Sequence, residues 1–162
     1  MTVVQLYLSA AHVYAGHFGR AAGTTPMAPT ARAQVVAGRG IVGDRYFRRP
    51  PGSKGQVTFF AEETWLRLSA ELGRSYLGPE VFRRNVIVRG LDLLALIGAQ
   101  FSVQGIRFQG TEYCKPCFWM DQAFSPGTLA RLSAWKAGGL RAQALSDGWL
   151  IAGGERGVEC SA

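Results

Sequence analysis

Short alternating strands, glycine-punctuated turns and only two helical stretches predict a mainly β (α+β) protein: a compact β-barrel with a few peripheral helices. The strands show in β-branched and aromatic runs such as "QVTFF" and "NVIV". The turns show in Gln104-Gly105 and Asp147-Gly148, each set between alternating residues. With 162 residues, 48% of them apolar, the chain is read as one domain covering 1–162, large enough to bury a core without staples.

Taken in order, "VVQLYLS" (Val3 to Ser9) reads as a strand and "GHFGRAAGTTPMAPTA" as a long loop. "RAQVVAG" is a second strand, followed by the glycine- and arginine-rich loop "GRGIVGDRYFRRPPGSKG" with its Pro-Pro break. "QVTFF" (Gln56 to Phe60) is a strand that runs into a helix. There Trp65, Leu68 and Leu72 share a face, Glu62 and Glu63 suit the first turn, and Gly73 is the stop. A short turn in "GPEVFRR" precedes a strand from Asn85 to Val88. "QFSVQGIRFQGTEY" is a hairpin leading to Cys114, and "FWMDQAFSPG" shows no helical period. "GTLARLSAWKAGG" is a second helix closed by Gly138 and Gly139. "LRAQALSDGWLIAG" reads as a closing hairpin turning at Asp147-Gly148.

Composition narrows the function classes. No apolar run approaches the ~20 residues of a membrane span, and the start lacks the basic region of a signal peptide. Three cysteines, an odd number, argue against a disulfide framework and for a reducing, cytoplasmic setting. The net charge of +7 favours anionic partners. Its Lys and Arg residues are scattered and no nucleic-acid signature is present, so a small anionic molecule is expected rather than nucleic acid.

"CKPC", with Cys114 and Cys117, admits several chemistries. A structural zinc needs four ligands, and the remaining candidates Cys160, His12 and His17 lack knuckle spacing. A thioredoxin-like dithiol needs a long helix opening at the first cysteine, which "FWMDQAFSPG" does not offer. Two idle thiols could pack as small hydrophobes. Against this, Lys115 between them favours thiolate, and Pro116 keeps the segment out of an interior ladder.

In order and spacing, "GRGIVGDRYF", "QVTFF" with its helix, "FRRNVIVRGLDLLALIGAQFSVQGIRF", "CKPCFWMDQAFSPG" and "AGGLRAQALSDGWLIAGG" resemble the MOSC domain family. That family is named for the C-terminal domain of molybdenum cofactor sulfurase, and the resemblance runs from Val3 to Gly153. It implies a β-barrel of the pyruvate-kinase type. It also implies a functional cysteine, by position Cys117, which ligates molybdenum of a molybdopterin cofactor in the branch that reduces N-hydroxylated compounds. The family's R-x-N segment falls on Arg83 and Asn85, and Lys115 and Pro116 fall where cofactor contacts are made. Arg45 and Gly139 complete the expected cofactor-binding set.

Residue chemistry agrees with that assignment. A soft thiolate suits a sulfur-bound metal, arginine suits a phosphate, and Asn85 offers donor and acceptor to a pterin edge. Asp44 and Arg45 are expected to form a structural pair rather than a ligand contact. An enzyme of this kind would act on a small molecule and take electrons from a flavin or haem partner, because no nucleotide fingerprint is present. The alternatives are a sulfur carrier working through a Cys117 persulfide and a non-catalytic cofactor-binding module. Two departures stand out: "AGGERGVE" replaces the family's Gly-Asp turn, and the companion N-terminal barrel of longer members has no counterpart here.

Overall fold

Alternation places the core. In the strand Val57–Ala61, Val57 and Phe59 face one side while Phe60 faces the other, and all three are sealed from solvent. A strand buried on both faces needs cover on both, and here an inner core and an outer layer of helices supply it. The structure is a computed structural model and describes residues 2–13, 21–47 and 49–155.

In chain order the strands are β1 (Thr2–Leu8), β2 (Ala28–Thr30), β3 (Arg32–Val36), β4 (Gly40–Ile41) and β5 (Val57–Ala61). Helix α1 (Glu62–Leu72), a 3-10 turn (Pro79–Phe82), β6 (Val86–Arg89), β7 (Gln100–Val103) and β8 (Ile106–Tyr113) follow. The chain continues through α2 (Trp119–Ala123), α3 (Thr128–Ala134), β9 (Leu140–Ala144), β10 (Gly148–Ile151) and β11 (Gly154–Glu155). Seven strands form the path β11-β1-β6-β5-β9-β8-β7, with β2 added on β1; a second sheet runs β10-β3-β4.

The two sheets enclose one apolar core. Val57, Phe59, Val86, Phe101, Phe108 and Leu140 of the large sheet meet Ala33, Val35, Ile41 and Leu150 of the small one. Phe59 sets its ring edge against Phe101 and Phe108 at 5.5 and 5.3 Å, the geometry aromatic quadrupoles favour. Each such ring, fully buried, contributes roughly 1.5–3 kcal/mol. A bulge in β1 between Val3 and Gln5 lets Val3 and Leu6 both point inward. Outside the large sheet, Tyr7, Phe60 and Ile87 pack against Leu68 of α1, Phe82, Met120 and Phe124 near α2, and Leu132 of α3.

The mainly β class holds, and β3 and β5 to β10 start and end close to where the sequence puts them, while β4 and β11 lie in stretches not read as strands. The barrel expected from sequence is realised as these two packed sheets. The Gln104 amide bridges them by bonding both the N–H and the C=O of Ile151, at 2.7 and 2.9 Å.

Four local expectations are corrected. β9 and β10 are not a hairpin: β9 pairs with β5 and β8, whereas β10 pairs with β3. Asp147 turns the chain between sheets, its Oδ1 accepting from Ala37 N–H at 2.7 Å. The long N-terminal loop ends in a strand, β2, laid on β1. "FWMDQA" does hold a helix, α2, too short to show a period. Finally, β5 and β6 are parallel, joined by a crossover through α1, whereas the strand pairings read from the sequence are all antiparallel hairpins. Helix α1 itself is as read, with Gly73 at φ 63° capping it through Ser69 O. No helix among the described residues is long and apolar enough to cross a membrane.

Candidate functional site

Strand β8 ends at Tyr113, and the next four residues, Cys114-Lys115-Pro116-Cys117, form an irregular loop before α2. The segment between α3 and β9 braces that loop. Cys114 N–H donates to Gly139 O at 2.9 Å, and Gly138 N–H donates to the Tyr113 hydroxyl at 3.1 Å. The approach is so close that a Cβ on Gly138 would stand 2.0 Å from Cys114 O. Gly139, at φ 105°, leaves room for Phe59 O, which an added Cβ would meet at 2.3 Å. The two glycines thus serve backbone packing under the cysteine loop. Gly138→Ala is expected to push the 114–117 loop outward and lower anion binding at least severalfold. A sulfate titration with a parallel melt separates that displacement from loss of fold.

The bracing splits the two thiols. Cys114 is buried, 3% exposed, whereas Cys117 is half-buried, and both are free. Both line an open-mouthed cavity of about 240 Å³. Among the described residues six cations share its wall: Arg45, Arg49, Arg83, Arg84, Lys115 and Arg141. No carboxylate does, among the described residues. His12, Val13, Tyr46, Thr58 and Met120 complete the lining.

The cations differ in what their donors do. Arg83 is buried; one terminal nitrogen donates to Thr25 O at 2.9 Å, the other to Ser9 Oγ and Ala11 O at 2.7 and 2.8 Å. Arg84 clasps Gly138 O through Nε and Nη2 and reaches Phe82 O through Nη1. Arg45 bonds Asp44 at 3.1 Å and Arg83 O at 2.7 Å. These three fix loops around the cavity while adding to its field. Lys115 and Arg49 make no hydrogen bond or ion pair through their side chains to the described residues; Arg49 lies over the Tyr46 ring at 4.6 Å. Arg141 gives Nη1 to Glu112 at 2.7 Å. Burial works against its charge, but the Glu112 hydrogen bond, then Cys114 and Tyr46, outweigh it and hold its pKa above the ordinary guanidinium value.

Asn85 is placed differently from the sequence expectation. It is fully buried, 0% exposed, and does not line the cavity. Its Oδ1 accepts from Thr58 N–H and hydroxyl at 3.2 and 2.9 Å, and its Nδ2 donates to Tyr7 O and Asp44 Oδ2 at 3.2 and 2.9 Å. Asn85 therefore ties β1, β5 and the "GDR" loop together behind the site. Asp44 is the hub of that knot: its carboxylate also accepts from Ser9 N–H and Tyr46 N–H. The Asp44–Arg45 pair is thus structural, and it is buried rather than exposed. Gly139 lies on a neighbouring cleft with Trp135 and Thr64, not on the thiol cavity.

Of the expected residues, the fold brings Arg45, Arg83, Lys115 and Cys117 to one cavity and leaves Asn85 and Gly139 just outside it. Cys160 and His17 lie outside the described residues. No group of three or more His, Cys, Asp or Glu gathers as a metal site among the described residues. Sequence reasoning missed Tyr46 and Arg49 of the loop after β4, Arg84, and Arg141 of β9. Only the cluster of arginines after the "GDR" run hinted at the first two.

His12 stands at the cavity mouth, exposed, its ring edge on Tyr46 at 5.1 Å. Partial burial, then repulsion from Arg45 and Arg49, outweigh Asp44 and set its pKa below the ordinary 6.5; Arg83 adds to the lowering. At neutral pH it is an uncharged imidazole among cations.

A search among curated proteins returns no match. Solved structures do match in fold. The YuaD protein from Bacillus subtilis superposes with a TM-score of 0.69 at 16% identity, covering 93% of this chain and 90% of that one. YiiM from Geobacillus stearothermophilus gives 0.67 at 15% identity, covering 93% and 70%. YiiM from Escherichia coli gives 0.64 at 16% identity, covering 97% and 70%. The family model of the MOSC domain matches residues 17–156, which takes in β2 to β11 and every described lining residue of the cysteine cavity except His12 and Val13. The chain belongs to the MOSC domain family.

Proposed function

We propose that this chain is a molybdenum-cofactor protein that reduces N-hydroxylated compounds by two electrons, with Cys117 as the protein's sulfur ligand to the metal. The observation that supports it is the half-buried Cys117 thiol on the wall of a cavity lined by six cations and, among the described residues, no carboxylate. The donor set fits the group: a soft thiolate for the metal and fixed cations for the phosphate. At about 240 Å³ the cavity is smaller than the roughly 300–1,000 Å³ of an enclosing ligand site, so a pterin-sized anion would fill it and extend through the mouth.

Lys115 and Arg49 would meet the anion directly, since their donors are not engaged by the described residues, and Arg141 would use the nitrogens it does not give to Glu112. Arg45, Arg83 and Arg84 would act through the field and by holding the loops. The bound cofactor would supply the two-electron redox chemistry. The chain's residues would orient it, set access to it and keep the thiol of Cys117 aimed at the cavity. The net conversion of a hydroxylamine to an amine takes up two electrons and two protons and releases water. Electrons would come from a flavin or haem protein.

The test is anaerobic reduction of an N-hydroxylated base by protein purified from a cofactor-producing host, with a chemical reductant as electron source. Amine formation that depends on Cys117 supports the proposal. Bound molybdenum without amine formation would instead indicate a cofactor store. Metal-free protein bearing cyanolysable sulfur on Cys117 would indicate the carrier.

A further inference from the structure

We infer that His12 is a proton-linked ligand of the anion that enters this cavity, so that a doubly charged anion binds together with a proton on the imidazole. The inference rests on the cavity being an anion site and adds the residue that sets its charge preference.

The geometry comes first. His12 lines the cavity at its mouth, makes no hydrogen bond to any described residue, and keeps its ring edge on Tyr46. The charged and titratable groups around it are Asp44, Arg45, Tyr46 and Arg49 from the loop after β4 and Arg83 from the end of the 3-10 turn. Across the cavity stand Arg84, Cys114, Lys115, Cys117 and Arg141. Of the described groups lining the cavity, only the His12 imidazole has an ordinary pKa that puts its charge change between about pH 5 and 8.

In the free protein the arginines oppose a further positive charge and favour the neutral imidazole. An anion held by Arg49, within the field of Arg45 and Arg83, offsets that repulsion and offers an acceptor. The imidazole then takes a proton from solvent and becomes a second N–H donor. Free protein, one proton and a dianion go to a complex; no covalent bond forms or breaks. A group whose pKa rises on binding makes affinity grow as pH falls, by up to about tenfold per pH unit between the two pKa values.

Only two histidines occur in the chain, His12 and His17, so the assignment is accessible to proton NMR with His17→Gln as the second variant. Sulfate is the probe, because it keeps its double charge across this range. The expected result is sulfate binding that tightens at least threefold from about pH 8 to about pH 5.5. The His12 ring resonance should titrate at higher pH with sulfate than without. His12→Gln should retain binding but flatten its pH dependence, while His17→Gln should keep it. Sulfate binding of equal strength at every pH, or a pH dependence that survives in His12→Gln, overturns the inference and leaves the cofactor proposal standing. Absence of sulfate binding at any pH overturns both.

Discussion

Asp44→Ala is expected to destabilise the protein by about 3–5 kcal/mol, the scale of breaking a buried ion pair from one side. Against a typical total of about 5–15 kcal/mol, that is a substantial fraction of the whole stability. The alanine leaves the buried Arg45 guanidinium without its carboxylate. It also removes the acceptor for Ser9 N–H, Tyr46 N–H and Asn85 Nδ2. Asp44→Asn keeps an acceptor oxygen and should cost less. Urea denaturation followed by tryptophan fluorescence checks both. A midpoint for Asp44→Ala within experimental error of the parent would show that the knot behind the cavity does not hold the fold.

The consequence for the site follows from position. Asp44 reaches Ser9 at the end of β1, and Ser9 Oγ in turn receives Arg83. Loosening this corner therefore moves two of the wall cations. The expected order of anion affinity is parent, then Asp44→Asn, then Asp44→Ala.

The second large effect separates the two cysteines. Cys117→Ser replaces a half-buried soft thiol, the proposed metal ligand, with a hard, poorly ionised hydroxyl at nearly constant shape. Its effect on stability should stay within about 1 kcal/mol. Bound molybdenum should fall at least tenfold. Cys114→Ser should do the reverse. That thiol is buried, so a hydroxyl there lacks an arranged partner and costs about 1–3 kcal/mol, with most of the metal retained. Equal metal loss in the two variants would instead mark Cys114 and Cys117 as a working dithiol.

Much of the frame was legible because the signals were local. β5 and β8 announce themselves by β-branched and aromatic runs, and α1 by a shared apolar face with a glycine stop. What failed was partner choice. β9 and β10 look like a hairpin because each alternates and Asp147-Gly148 lies between them. Alternation says which face is buried, not which strand lies beside it, and Asp147 here hands the chain to the other sheet. The parallel pairing of β5 with β6 could have been suspected from two buried runs flanking a helix.

The site divides the same way. Cys117 and Lys115 were readable from four adjacent residues, and the fold keeps both on the cavity. Asn85 was readable as a polar residue opening a strand, but its amide is aimed backward at Thr58, Tyr7 and Asp44. Arg141 and Tyr46 face the same space from β9 and the loop after β4, a meeting that only tertiary packing creates.

The most direct measurement is the molybdenum content, per chain, of protein purified from a cofactor-producing host, for the parent, Cys117→Ser and Cys114→Ser side by side. The sulfur at position 117 is held to be what keeps the metal. Near-stoichiometric molybdenum in the parent and Cys114→Ser, with little in Cys117→Ser, is the predicted result. Equal molybdenum in all three, or none in the parent, would contradict it.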